Sequence, residues 1–594
     1  MLNARLNNGS LEGSVVDDGQ DAIAELVFRM EQHHIGDASE LATIRLARSS
    51  LEDIPVRLRR EINATVPILR LPTEILLEIS DNIALSDPPR PVSVLQQQGR
   101  FGDYHSPTLG WIRLTHVCHR MRDALIESPI LWARVVCSLP KAHEVLLRRT
   151  RSAPLSIVMD SWRYDVPERF LTSLLDQPLV LLETLTLGTL TMVPQDFRFP
   201  PSPHLRELRL HNIFIRVTGC STLTHLEISQ DYFEPIPVEH FLEVLSSSPC
   251  LESIVLTRCI PSADQWTILQ DESLIVSLPR LRELCVAGPC SWCIPFWAHI
   301  AVPPTASLHF DIDRPSVPVT TPPWYTLLNT DRLGFMRSLA PHFRAFADQR
   351  CTMVGMSVAT YNSMPEEFRL RLYAVGAGVD AAHEQEVRSA NPILDGCRLV
   401  LEVKFYRWEV LLKDVVNVIG LVAYSFDLSR VQLLDIGLQR SLDNLPNIDA
   451  SQWRDALSPL SSVSQLYVGP AHKDVLLKAL QEPLSTSTSL HDPGDHCALL
   501  FPNLHTLHLG IFAPHDLGYS RNPLESSASL RTAMMKIFPG RSRRGLNVMR
   551  VQIASYGDDG TSKLARDLHE IVPDVHVCLS EVEVRPGLSF VSVE

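Results

Sequence analysis

The hexamer Leu-x-x-Leu-x-Leu, with Ile or Val allowed for any Leu, occurs nine times in this chain. It begins at Leu182, Leu205, Leu223, Leu251, Leu281, Val431, Val463, Leu504 and Val548. A single copy would describe any half-buried strand. Nine copies constrain the chain far more, because a short strand with one apolar edge is stable only when a neighbour covers that edge. The first five copies begin 23, 18, 28 and 30 residues apart, which brackets the roughly 20–29 of leucine-rich repeats. The spacing predicts an α/β fold over residues 138–594: a solenoid of stacked parallel strands, each followed by a helix or an irregular return. Corners such as Phe501-Pro502-Asn503-Leu504 precede several copies, and the 43 prolines against 26 glycines fit many short elements. Residues 238–245, with Phe241, Leu242 and Leu245 on one side, read as a return helix. The gap at 287–430 lacks the hexamer, but Leu399, Leu401, Val403 and Phe405 alternate as a strand should, so degenerate repeats are expected there.

Strand positions flanking each central Leu should point away from the core. They are Thr184 and Thr186, Glu207 and Arg209, His225 and Glu227, Ser253 and Val255, Glu283 and Cys285, Gln465 and Tyr467, and Thr506 and His508. Neither charge sign dominates, which suits a protein partner better than a polyanion.

The chain has 594 residues, with 54 Lys and Arg against 68 Asp and Glu, a net charge of −14. That balance argues against nucleic acid and anionic membrane as partners, since both require a cationic face. Apolar residues at 45% and charged residues at 21% exclude bulk disorder. Twelve cysteines are too few for a disulfide scaffold. The most apolar run, residues 415–426, is too short to span a membrane. A protein of the cytoplasm or nucleus with reduced thiols is expected.

Residues 1–20 are polar and read as disordered. Residues 21–66 read as a helical lead-in, with Ile23, Leu26, Val27 and Met30 on one face and Leu41, Ile44 and Leu51 extending the stripe. Residues 67–137 predict three short helices. The first opens at Leu71-Pro72-Thr73-Glu74-Ile75-Leu76, with Pro72 at its first position and Leu76, Ile79 and Ile83 in step. A Pro/Gln/Gly-rich loop at 86–110 follows. The second carries the stripe Leu114, Val117, Cys118, Met121 and Leu125; the third, with Ser128 at its N-cap and Pro129 at its first position, holds Leu131 and Trp132. Three such helices bury little core, so an apolar face left over would serve a partner.

In their order, Leu71-Pro72-Thr73-Glu74-Ile75-Leu76, Thr115-His116-Val117-Cys118 and Ser128-Pro129-Ile130-Leu131-Trp132 resemble the F-box, in the form found in mushroom-forming fungi. The match covers a little over a tenth of the chain. Met121 stands where that family usually has tryptophan, and the 86–110 insertion is long. The resemblance implies an adaptor: the box docks a Skp-family protein and through it a cullin–RING ubiquitin ligase, while the repeats bind an unidentified protein substrate. It also implies that Leu71, Pro72, Ile75, Leu76, Ile79, Val117, Cys118, Leu131 and Trp132 contribute to the adaptor-binding surface.

No nucleophile elbow, phosphate loop, HExxH or dinucleotide fingerprint is present, so neither enzymatic activity nor a cofactor is expected. The competing chemistry rests on Cys290 and Cys293, a CxxC pair read as semi-buried packing, and on His491, Asp492, Asp495, His496 and Cys497 within a polar loop at 484–496 and just beyond. The basic run Arg541-Ser542-Arg543-Arg544 reads as a solvated loop. A repeat scaffold with no ligase attached is the alternative function.

Overall fold

The computed structural model describes residues between 58 and 579, the longest stretches outside the description being 90–107, 161–178, 313–327, 376–396, 482–498 and 512–531. The stripe from Ile23 to Leu51 and the ligand-type cluster at 491–497 therefore lie outside the described residues. The chain divides into two compact units: Met1–Ile157 with Arg163–Asp165, and Val158–Trp162 with Val166–Glu594. The division falls about 20 residues later than expected. A further helix, His143–Thr150, joins the first unit, and its Arg149 guanidinium lies 4.5 Å above the Trp132 ring.

The first unit contains a 3-10 turn Pro67–Arg70, α1 (Thr73–Ser86), a 3-10 helix Gly110–His116, α2 (His119–Ile126), α3 (Pro129–Ala133) and α4 (His143–Thr150). Three expectations need correction. Pro72 occupies the N-cap of α1 rather than its first helical position. Ser128 caps α3 by position only, with no side-chain hydrogen bond. The stripe Leu114 to Leu125 does not lie on one helix. The chain winds as a 3-10 helix to His116, where Thr115 Oγ1 donates to Ile112 O at 2.8 Å and favours the tighter turn. It then extends at Cys118, whose Sγ accepts from the Met121 N–H at 3.4 Å and caps α2.

The core of this unit gathers Leu69, Leu76 and Met121, with Leu71, Leu114 and Cys118 packed against them. Met121 thus fills the interior, where a flexible thioether adapts to the space left. Trp111 and Trp132 sit 4.9 Å apart, and Trp132 Nε1 donates to Leu125 O at 2.8 Å. The long insertion is pinched at its base. Trp111 N–H donates to Asp87 O at 2.9 Å, and Arg113 pairs with the Asp87 carboxylate at 2.6 Å. Gly110 turns through φ +53°, and a Cβ there would lie 2.4 Å from Asp87 O. The close approach demands glycine.

The second unit is mixed α/β and built on one 15-stranded sheet whose first strand, Leu155–Asp160, straddles the division. In chain order the strands are β1 (Leu155–Asp160), β2 (Leu182–Gly188), β3 (Glu207–His211), β4 (His225–Ser229), β5 (Ser253–Thr257), β6 (Glu283–Gly288), β7 (Ser307–Ile312), β8 (Thr352–Thr360), β9 (Phe368–Val375), β10 (Arg398–Phe405), β11 (Leu433–Gly437), β12 (Gln465–Val468), β13 (Thr506–Ile511), β14 (Arg550–Ser555) and β15 (Asp574–Leu579). Sheet order follows chain order except that β8, β9 and β10 are reversed. The ladders are parallel from β2 to β7 and from β11 to β15, while β9 runs antiparallel to both β8 and β10.

All nine hexamers fall on strands of this sheet. Their central residues stay in register as a buried row: Leu185, Leu208, Leu226, Ile254 and Leu284, continued beyond β7–β10 by Leu434, Leu466, Leu507 and Val551. From the second copy on, the first residue of each hexamer lies just ahead of its strand, buried. In most of these copies its N–H closes a tight turn three residues back, as with Leu205 on Ser202 O (3.1 Å) and Leu504 on Phe501 O (3.1 Å). Helices cover this face. Trp297 of the helix Cys290–Ala298 and Phe335 of the long helix Leu328–Asp348 pack on Phe310 of β7, with ring centroids 6.0 and 4.9 Å away. The expected return helix exists as Val238–Ser246, with Phe241, Leu242 and Leu245 buried.

The stretch at 287–430 departs from the simple repeat. β7 continues the parallel stack, but the antiparallel β8–β10 segment follows. Leu401, Val403 and Phe405 are buried, whereas Leu399 lies across an irregularity, opposite Tyr373, in a separate cluster with Cys397, Leu433 and Tyr467. The bulge shifts register by one residue and turns Leu399 to the other face.

Candidate functional site

The residues expected on the adaptor-binding surface separate by burial. Leu76 (2% exposed), Leu131 (2%) and Trp132 (0%) are buried within the unit. Leu71, Ile79 and Cys118 are half-buried. Pro72 is exposed, and Ile75 (41%) and Val117 (63%) stand out in solvent. Exposed apolar residues of this unit that were not expected in this role include Ile68, Leu109 and Ile130. Arg120 ties the first turns together by donating to Leu71 O at 2.5 Å and to Leu69 O. This holds the segment around Leu71-Pro72 at the start of α1.

On the second unit, the face opposite the helices carries a second register row. It runs Thr186, Arg209, Glu227, Val255, Cys285, His309, Glu402, Arg371, Ser357, Asp435, Tyr467, His508, Gln552 and His576, one residue per strand from β2 to β15. The expected outward positions lie on this row or two residues from it. Its ends differ in character. On β3 and β4, Arg209 pairs with Glu207 at 2.5 Å and with Glu227 at 3.7 Å, and all three reach solvent. Tyr467 and His508, also expected to point outward, are buried and stack at 3.7 Å with their rings 6° from parallel.

The middle of the row is an ion network. Glu402 accepts from Arg371 Nε at 2.8 Å, and Arg369 (3.5 Å), Lys404 (3.4 Å) and His309 (3.7 Å) also surround it. Lys404 reaches Asp311 as well, at 3.4 Å. Burial alone would raise the Glu402 acid, but His309, Arg371 and Lys404 outweigh it and hold it well below the usual carboxylate range. Three strands along from Glu402, Asp435 accepts from Ser357 Oγ at 2.9 Å. Burial pushes this acid up to about 6, against the pull of Ser357 and Arg371. Sequence reasoning missed this network because its strands lack the hexamer. The alternation Arg369-Leu370-Arg371-Leu372 was the available signal.

Cys285, His309 and Glu402 are register neighbours, an order that suggests a thiol, a base and an orienting acid. The thiol, however, is pushed up to about 12 by burial and by the Glu283 carboxylate, the opposite of activation. Cys290 and Cys293 are fully buried in the first turn of the helix Cys290–Ala298, deeper than the semi-buried packing expected. Arg541 is not in a solvated loop: it is buried, donating to Leu500 O at 2.9 Å and to Phe501 O, which leaves it no phosphate to meet. Arg543 and Arg544 lie outside the described residues. Among the described residues no cluster of three or more His, Cys, Asp or Glu could hold a metal ion, and no helix is long and apolar enough to cross a membrane.

No protein-family model matches the chain, and no curated protein is significantly similar to it.

Proposed function

We propose that the protein is a substrate-receptor adaptor of a cullin–RING ubiquitin ligase. In this reading the first unit is an F-box that docks a Skp-family protein, and the second is a leucine-rich-repeat-like solenoid whose polar row binds the target. The observation that carries the reading is the set of apolar residues left outside the helical core: Pro72, Ile75 and Val117, with Ile68 and Ile130 also exposed. Exposing several large aliphatic side chains on so small a unit costs solubility, and covering them in a complex recovers it. Both departures from the family pattern are accommodated, since Met121 packs in the core and the insertion is closed at Asp87 and Trp111. The protein itself supplies proximity, holding a target beside the ubiquitin-charged enzyme so that transfer becomes effectively intramolecular. Burial pushes the thiols of Cys137 and Cys285 up to about 12, in keeping with a protein that binds rather than reacts.

The test is affinity purification of the full chain followed by mass spectrometry. A Skp-family protein and a cullin should co-purify together with a target. A target recovered without either would instead mark a scaffold with no ligase attached.

A further inference from the structure

The polar row is not uniform in charge, and its polarity specifies how a partner must lie on it. On β3, β4 and β6 the row and its flanks carry Glu207, Glu227 and Glu283 against one cation, Arg209. On β7, β10 and β9 they carry Arg369, Arg371 and Lys404 against two acids, Glu402 and Asp311, with His309 among them. Asp435 bounds this stretch on β11. A basic-leaning centre therefore lies beside an acidic arm, in a chain whose net charge is −14. The cations are within reach: the side chains of Arg369, Arg371 and Lys404 are 18%, 20% and 22% exposed, and Glu227 on the acidic arm is 42% exposed.

We propose that this face takes an extended polypeptide segment of its protein target, laid across the strands, with basic residues over Glu207, Glu227 and Glu283 and acidic residues over Arg369, Arg371 and Lys404. The inference rests on reading the second unit as the target-binding part of an adaptor. The spacing follows from the sheet. From β4 to β9 the order is β4, β5, β6, β7, β10, β9, five steps, which at about 4.8 Å per strand is roughly 24 Å. An extended chain advances about 3.4 Å per residue, so the two charged groups of the partner should stand about seven residues apart. Opposite charges in register steer the encounter and reject the reversed or scrambled arrangement more than they add raw affinity.

The experiment uses the full chain and two synthetic peptides of identical composition. One has a pair of lysines and a pair of glutamates seven residues apart; the other interleaves the same residues. Fluorescence anisotropy at low salt should show the first binding at least about tenfold more tightly, with the preference shrinking toward unity at about 0.5 M salt. Arg369→Glu with Lys404→Glu should abolish the preference, and so should Glu227→Lys with Glu283→Lys. Because Glu402 loses cations in the first pair, the milder Arg369→Gln should weaken the preference while circular dichroism shows an unchanged fold. Equal binding of both peptides, or a preference that survives all three variants, overturns the proposal. A parallel pull-down with a Skp-family protein separates the outcomes: adaptor binding without peptide preference refutes this inference alone.

Discussion

Gly110 and Gly219 make a matched pair for testing how the first unit is closed. Both have positive φ, +53° and +71°, so replacing either with alanine incurs the left-handed cost of about 1 kcal/mol. Their surroundings differ. A Cβ on Gly219 would meet only Pro201 Cβ at 3.6 Å, an ordinary contact. A Cβ on Gly110 would lie 2.4 Å from Asp87 O, 2.6 Å from Pro88 C and 2.6 Å from Pro89 N, all backbone atoms that cannot swing aside. The chain must move there, breaking the Trp111 N–H to Asp87 O bond and loosening the Arg113–Asp87 pair. Losing that bond adds about 1 kcal/mol, and the displaced backbone adds about as much again. Gly110→Ala should therefore cost about 3 kcal/mol and Gly219→Ala about 1. Amide hydrogen exchange read by mass spectrometry suits a two-unit protein, because it reports opening locally without assuming that the whole chain unfolds at once. Peptides covering 110–135 should exchange about 100-fold faster in Gly110→Ala. Gly219→Ala should leave them unchanged and accelerate only its own surroundings, by about fivefold. Equal and small effects at both sites would refute the claim that the insertion is pinched shut at Gly110.

Asp435 sets a pH dependence of definite sign. Its folded pKa of about 6 lies above the ordinary 3.8, so the native state binds the extra proton between those values and stability falls as pH rises through that window. The ceiling is about 3 kcal/mol. Asp435→Asn, which can still accept from Ser357, should raise the melting temperature of the second unit at pH 7.5 and leave it unchanged near pH 4. The same melting temperature as wild type at pH 7.5 would refute the buried-charge account. A chain ended at residue 215 keeps β3 but loses β4 and everything after it, uncovering an open strand edge and the sides of Leu208 and Leu210. It should aggregate on expression, as judged by size-exclusion chromatography, and a monodisperse, cooperatively folding fragment would count against the stack.

The nine hexamers were legible because each encodes the same local event: a buried first residue in a tight turn, then two inward side chains on a strand. Period and apolar identity suffice for that. The reversed strands β8–β10 were not, because antiparallel pairing leaves no mark on a single strand. Arg369-Leu370-Arg371 alternates just as any half-buried strand does. The break at 117–118 was hidden for another reason. Leu114, Val117, Met121 and Leu125 fit a 3.6-residue period, and only the cap made by Cys118 shows that two helices share the pattern. Periodicity also cannot say which members of a stripe face a partner. Leu76 and Ile75 are sequence neighbours, yet one is core and the other solvent-facing. Buried Arg541 shows the converse, a basic run whose first residue is used inside the fold.

The docking of the first unit decides the account. Ile75 and Val117 are exposed, so Ile75→Asp with Val117→Asp should leave the fold intact, as exposed substitutions generally do within about 0.5 kcal/mol. Placing two carboxylates in an apolar interface removes the burial of both side chains, each worth about 1–3 kcal/mol, and adds the cost of covering charge. The measurement is the affinity of the purified full chain for a Skp-family protein, by surface plasmon resonance, with circular dichroism of both forms. The adaptor reading predicts tight binding by the wild type and a loss of at least about 100-fold in the folded double variant. A wild type that does not bind, or a variant that binds equally well, would contradict it.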